Sequence, residues 1–229
     1  MMRNDAKTRA GLDALTSEIE LTLISIIQGV ALSFLAEHAR FALSLRDLTP
    51  WLYVATGLLV ILIFWSRSVL HTLTLIRWPL EFVHNFLYVA CTLGEAILFT
   101  RLQNPRAWFA LSAGFAVVIW ILFVVDLKII AARCRDSTGE AGMRLCEAVR
   151  RDQWFNIKVL VPALFLLNAA CTLAIWRWPD VFIVGGAHAY LIAINFCALA
   201  GYLIYVVRLY NRLAPLVSAM RSEWYAAEA

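Results

Sequence analysis

Six apolar blocks, each about 19–27 residues long and bounded by charged residues, divide this chain, and each is long enough to cross a hydrocarbon core about 30 Å thick. They fall at about 19–38, 50–68, 80–100, 107–132, 157–177 and 181–207. Lipid offers backbone N–H and C=O groups no partner, so such a block must close its hydrogen bonds within itself as a helix. The expected fold is an all-α integral membrane protein, a six-transmembrane-helix bundle. Composition agrees: 62% of the 229 residues are apolar and 16% are charged, against roughly 45–50% and 25% in soluble domains. Mean hydropathy is +0.74.

The blocks and their short joints leave room for one transmembrane domain, 19–210, between a polar leader at 1–18 and a tail at 211–229. The first block does not read as a cleavable signal: Glu18 and Glu20 flank it, Gln28 lies midway, and no small-residue cleavage pattern follows. Of the 20 Lys and Arg residues, five (Arg40, Arg46, Arg101, Arg106, Arg177) fall on one predicted side and fifteen on the other. Basic residues accumulate on the cytoplasmic side, which places the leader, the tail and both termini there. The expected location is the bacterial inner (plasma) membrane. The net charge of +4 is spread over several inner joints, which suits anionic lipid head groups rather than nucleic acid.

The outer joints, Arg46–Trp51, Arg101–Trp108 and Arg177–Asp180, each carry a proline. Proline fits the first turn of a helix, where its missing N–H would go unpaired in any case, so the chain reads as three helical hairpins. Trp51, Trp108, Trp176 and Trp178 then lie at outer ends and Trp65, Trp78 and Trp154 at inner ends, at head-group depth, with Trp120 alone deep in a span. The longest joint, about 133–156, is expected to be cytoplasmic and to hold a short interfacial helix over Met143–Trp154, with Leu145, Val149 and Trp154 on its apolar side. Cys134 and Cys146 lie in this joint and are expected to be reduced; Cys91, Cys171 and Cys197 lie in spans.

Polar side chains within spans avoid lipid and therefore trace the bundle interior. At about 100° per residue, Glu81, His84, Tyr88, Cys91, Thr92 and Glu95 share one face of the third span. His188, Asn195 and Tyr202 form a second stripe on the last span, and Gln28 and Asn168 add polar groups near mid-depth. Spans 1, 3, 5 and 6 are thus expected to be interior, and spans 2 and 4 peripheral. Glu95 and His188 lie at similar depth and are expected to pair, either as a proton- or cation-handling site or as an interhelical tie. Asp126 is expected to form inner-interface ion pairs with Arg67 and Arg208. Gly185-Gly186 and Pro162 mark points of close helix approach or a kink.

No nucleophile elbow, His-Glu-x-x-His pair, phosphate-binding loop or intramembrane aspartate pair is present, so a non-enzymatic role is expected. No metal site and no cofactor are anticipated. The leading expectation is an ion or small-solute channel, or an ion-coupled transporter, acting as a homo-oligomer. Its polar interior would be built from Glu95, His188, His84, Tyr88, Thr92, Gln28, Asn168 and Asn195. One alternative is a non-catalytic subunit or scaffold of a membrane complex. Another is a haem b electron carrier using His71 with His84, or His38 with His188, as axial pairs.

Overall fold

The computed structural model describes residues 2–44, 47–75, 82–135 and 139–228; Arg46, Trp78 and Glu81, named above, lie outside them. Among the described residues the chain is helical throughout, with no strand. The α-helices are α1 (Met2–Ala39), α2 (Thr49–Leu75), α3 (Phe82–Phe99), α4 (Pro105–Arg135), α5 (Glu140–Phe155), α6 (Val161–Arg177) and α7 (His188–Glu228). Among the described residues, five helical stretches are long and apolar enough to cross a membrane: Leu21–Ala39, Thr49–Thr72, Pro105–Ala132, Glu140–Arg177 and His188–Glu223; Val83–Phe99 is a shorter apolar helix. This is a multi-pass membrane protein. Its outward faces are apolar, as in α3, where Phe86, Val89, Leu93 and Ile97 are exposed at helical spacing, a surface suited to lipid rather than water.

Local signals set the helix starts. Asp47 accepts hydrogen bonds from the Thr49 backbone N–H at 3.0 Å and the Thr49 hydroxyl at 3.1 Å, opening α2. These donors hold the Asp47 carboxyl below its usual range. Pro105 is the first residue of α4, and Asn104 Oδ1 caps it by accepting from the Ala107 N–H at 3.0 Å. Between α6 and α7 the chain makes a π-turn at Asp180–Val184 and leaves it through Gly186 at φ 73°. Gly185 and Gly186 are exposed and form a turn rather than a close helix contact; the left-handed backbone of Gly186 excludes most other residues there.

Helices α5 and α6 join through a π-turn at Asn156–Leu160, just before Pro162. In that register the carbonyl of Ile157 would accept from residue 162, which as proline has no N–H. The indole of Trp120 fills the gap, donating to the Ile157 carbonyl at 3.0 Å. The deep tryptophan thus has a backbone role that hydropathy does not reveal. Trp108 also departs from the head-group expectation: it is fully buried and packs edge-on to Tyr53 with ring centroids 5.5 Å apart.

The expected helix in the long joint is α5, but its apolar side covers the bundle end rather than lying on lipid. Ala141, Leu145 and Val149 pack with Leu70, Ile130, Leu213 and Met220. Its first turn is held by Glu223 of α7, which accepts from the Ala141 N–H at 3.2 Å. Gly139 at φ 99° lets the chain turn back so closely that a Cβ there would meet the Glu223 carboxylate at 2.5 Å. The same turn brings Cys134 and Cys146 to a Cα separation of 5.6 Å, where they form a disulfide. This corrects the expectation of two reduced thiols, which rested on compartment alone; the reversal of direction after α4 supplies bonding geometry.

Neighbouring helices pack in the order α1, α2, α7, α6, α4, α3 and back to α1. The result is a closed ring with two apolar poles. One gathers Leu35, Tyr53, Phe99, Trp108, Ile175 and Ile192; the other gathers Leu70, Ile130, Leu145 and Leu213. In a ring every helix has an inward face, so α2 and α4 are not peripheral as the sparse polar content of their sequences suggested.

Candidate functional site

The ring encloses a cavity of about 100 Å³ lined by α2, α3, α4, α6 and α7. Its polar lining comprises Thr56, Arg67, Ser68 and His71 from α2, His84 and Tyr88 from α3, Ser112 and Asp126 from α4, Asn168 from α6, and Asn195 and Tyr202 from α7. The volume suits an ion with a few waters; pockets for drug-sized molecules run to about 300–1,000 Å³.

Near mid-depth, Asn195 Nδ2 donates to Asn168 Oδ1 at 2.7 Å, while Asn168 Nδ2 donates to the Leu164 carbonyl at 2.8 Å. Two residues singled out on different spans therefore meet. Toward the α5-covered pole, His84 Nδ1 lies 2.7 Å from Asp126 Oδ1, and both side chains are largely buried. The His71 ring stacks on His84 with centroids 5.3 Å apart and planes 11° apart. One ligand atom from each of His71, His84 and Asp126 can be chosen so that all three lie within 4.8 Å of one another. Sequence reading assigned no metal site because the three donors stand on three helices; within one helix, no spacing motif announces them. These rings also exclude the haem arrangement proposed for His71 and His84, since parallel rings in stacking contact leave no slot for a porphyrin. In the second proposed pair, His38 Nδ1 contacts the Phe34 carbonyl at 2.9 Å and His188 Nδ1 the Tyr53 hydroxyl at 3.2 Å.

Beside the triad, one turn earlier on α2, Arg67 anchors a dense polar knot. It donates to Asp152 at 2.7 Å and to Gln153 at 3.3 Å, and its guanidinium lies 5.2 Å from the centre of the Phe123 ring. Tyr205 donates to Asp152 at 2.6 Å, Tyr202 to Asn156 at 2.7 Å, Asn156 to Asp152 at 3.1 Å, and Gln153 to the Phe123 carbonyl at 2.7 Å. The expected ion pairs of Asp126 with Arg67 and Arg208 are thus replaced. Arg67 takes Asp152, Asp126 takes His84, and Arg208 is exposed. Sequence reading singled out none of Asp152, Gln153 and Asn156, which lie in the joint at about 133–156. A signal was present: Asp152 and Asn156 continue the helical face of Leu145 and Val149.

Glu95 and His188 do not pair, because α3 packs mainly on α1 and α4, whereas α7 packs on α2, α5 and α6. Glu95 is fully buried and accepts from Gln28 Nε2 at 3.4 Å, with its second oxygen unpartnered among the described residues. It faces α1, not the cavity. Thr92 returns its hydroxyl to the Tyr88 carbonyl at 3.2 Å. The α3 stripe therefore divides: His84 and Tyr88 reach the cavity, and Glu95 closes a helix contact. Comparison with protein families, curated proteins and solved structures finds no match.

Proposed function

We propose that this chain is a six-span carrier or channel for a small cation, with both termini cytoplasmic and the central cavity as its binding chamber. The cavity carries the reading: five helices converge on it with histidines, a carboxylate, hydroxyls and amides, more polar groups than bundle cohesion needs. Helix α3 supports the sixth crossing. Its 18 residues extend about 27 Å, and it runs from His71 and His84 at one pole to Phe99 beside Tyr53 at the other. The fifteen-to-five division of basic residues supports the orientation. One chain encloses the chamber, so the reading needs no homo-oligomer.

The competing view, a non-catalytic subunit whose polar stripe binds a partner's helices, is weakened, because Glu95 meets Gln28 and Asn168 meets Asn195 within the chain, although one oxygen each of Glu95 and Gln28 is unpartnered among the described residues. The test is flux into proteoliposomes. Wild type should pass a monovalent or divalent cation down an imposed gradient, and Ala116→Phe, which fills the cavity wall, should slow that flux at least tenfold. Wild-type vesicles no leakier than protein-free ones to any cation tried would overturn the reading.

A further inference from the structure

We propose that His71, His84 and Asp126 form a site for one divalent transition-metal ion of the zinc class. This names the cation for the carrier reading and rests on that reading for its transport role, though binding can be tested separately. The three donors come from α2, α3 and α4 and meet at the wall of the cavity, their ligand atoms within 4.8 Å of one another.

A plain interhelical hydrogen bond accounts for His84 and Asp126, but not for the third member. His71 stacks on His84 while its Nε2 is sealed from solvent without a hydrogen-bond partner among the described residues, a costly state for a buried polar atom. In the tautomer with its proton on Nδ1, this nitrogen offers a lone pair that a metal ion would take. The Tyr88 hydroxyl, one turn along α3 from His84, is buried at the wall of the same cavity beside the Ser68 and Gln28 side chains, with no well-formed hydrogen bond among the described residues. It is suited to accompany water on the ion's remaining positions.

Two imidazoles and one carboxylate match the donors of zinc sites that keep an open position. Calcium and magnesium prefer all-oxygen shells, whereas imidazole favours zinc, cobalt, nickel and copper. Metal–ligand bonds of about 2.0–2.2 Å set tetrahedral ligand atoms roughly 3.4 Å apart. The His84–Asp126 contact of 2.7 Å would open slightly and the longest separation would close by side-chain rotation. The nearby positive charge of Arg67 is offset by Asp152 at 2.7 Å, so it does not bar a dication stabilised by Asp126.

The experiment uses full-length protein in lipid nanodiscs, stripped with chelator and titrated with Co²⁺, with Zn²⁺ as competitor. Wild type should bind one equivalent with the visible d–d absorption of a low-symmetry site, displaced by Zn²⁺. His71→Gln, His84→Gln and Asp126→Asn should each weaken binding at least tenfold, and Glu95→Gln should leave it unchanged. A wild type that binds no Co²⁺ overturns the site, as does undiminished binding in the three variants. Zn²⁺ and K⁺ flux in liposomes separates the two readings. Co²⁺ binding without flux of either ion leaves the site standing and overturns the carrier; K⁺ flux without Co²⁺ or Zn²⁺ binding does the reverse.

Discussion

The Arg67 knot and the His71–His84–Asp126 triad are one helical turn apart on α2, and each buries a carboxylate, yet they are built on opposite terms. Asp152 receives hydrogen bonds from an arginine, a tyrosine and an asparagine. Around the triad, His71 Nε2 is buried without a hydrogen-bond partner among the described residues. A network whose members satisfy one another fixes one packing arrangement, whereas leftover donors and acceptors beside a cavity leave room for a ligand. The contrast teaches that a buried charge by itself does not mark a site; unspent hydrogen-bonding capacity at a cavity wall does.

The sharpest test of that contrast is to break the knot. Asp152→Ala strands the Arg67 charge inside the bundle and should cost about 3–5 kcal/mol, read as a large fall in thermal midpoint in detergent. The double variant Arg67→Met, Asp152→Leu should be less destabilised than Asp152→Leu alone, because no charge is left unpaired. If both substitutions add independently, the knot is not a coupled unit.

Asp126→Asn should behave in the opposite way. The amide can keep a hydrogen bond to His84, so the loss of stability should stay within about 1 kcal/mol, while Co²⁺ binding falls. A thermal shift as large as that of Asp152→Ala would erase the distinction between the two regions.

Glu95 gives a smaller effect. Because it faces Gln28 rather than the cavity, Glu95→Gln should leave cation flux unaltered and change stability by no more than about 1 kcal/mol. A flux defect in this variant would move the pathway to the α1–α3 contact.

The smallest change concerns Asp47, which caps α2 outside the bundle. Its carboxyl is held below the usual range, so its stabilisation is complete above the unfolded-state carboxyl pKa and is lost as pH falls through the lowered folded value. Asp47→Asn should remove that acid-side dependence, detected as a flatter dependence of thermal midpoint on pH.

Much of the fold was legible because its causes are local. The apolar blocks and the proline at Pro105 lie within a few residues of the helices they define. The same locality misled elsewhere. The α3 stripe was read as one continuous face, but a helix presents its sides to different neighbours over its length, and Glu95 and His84 meet α1 and α4 respectively. Asp152 was not singled out in a joint rich in charge, although its register continues the buried face of α5.

The candidate site was less legible. His71 is at the end of an apolar block, His84 at the start of the next, and Asp126 more than forty residues further on, on α4. Nothing in their spacing joins them. Cys134 and Cys146 show the same limit at shorter range, since only the fold-back at Gly139 brings them together.

The sequence by itself determined a helical, multi-pass chain, because the cost of unpaired backbone groups in lipid depends on run length and composition alone. Tertiary structure decided which polar groups meet, which are spent on one another and which face the cavity. That choice depends on the packing order of helices, a property of pairs of segments distant along the chain that no local pattern encodes.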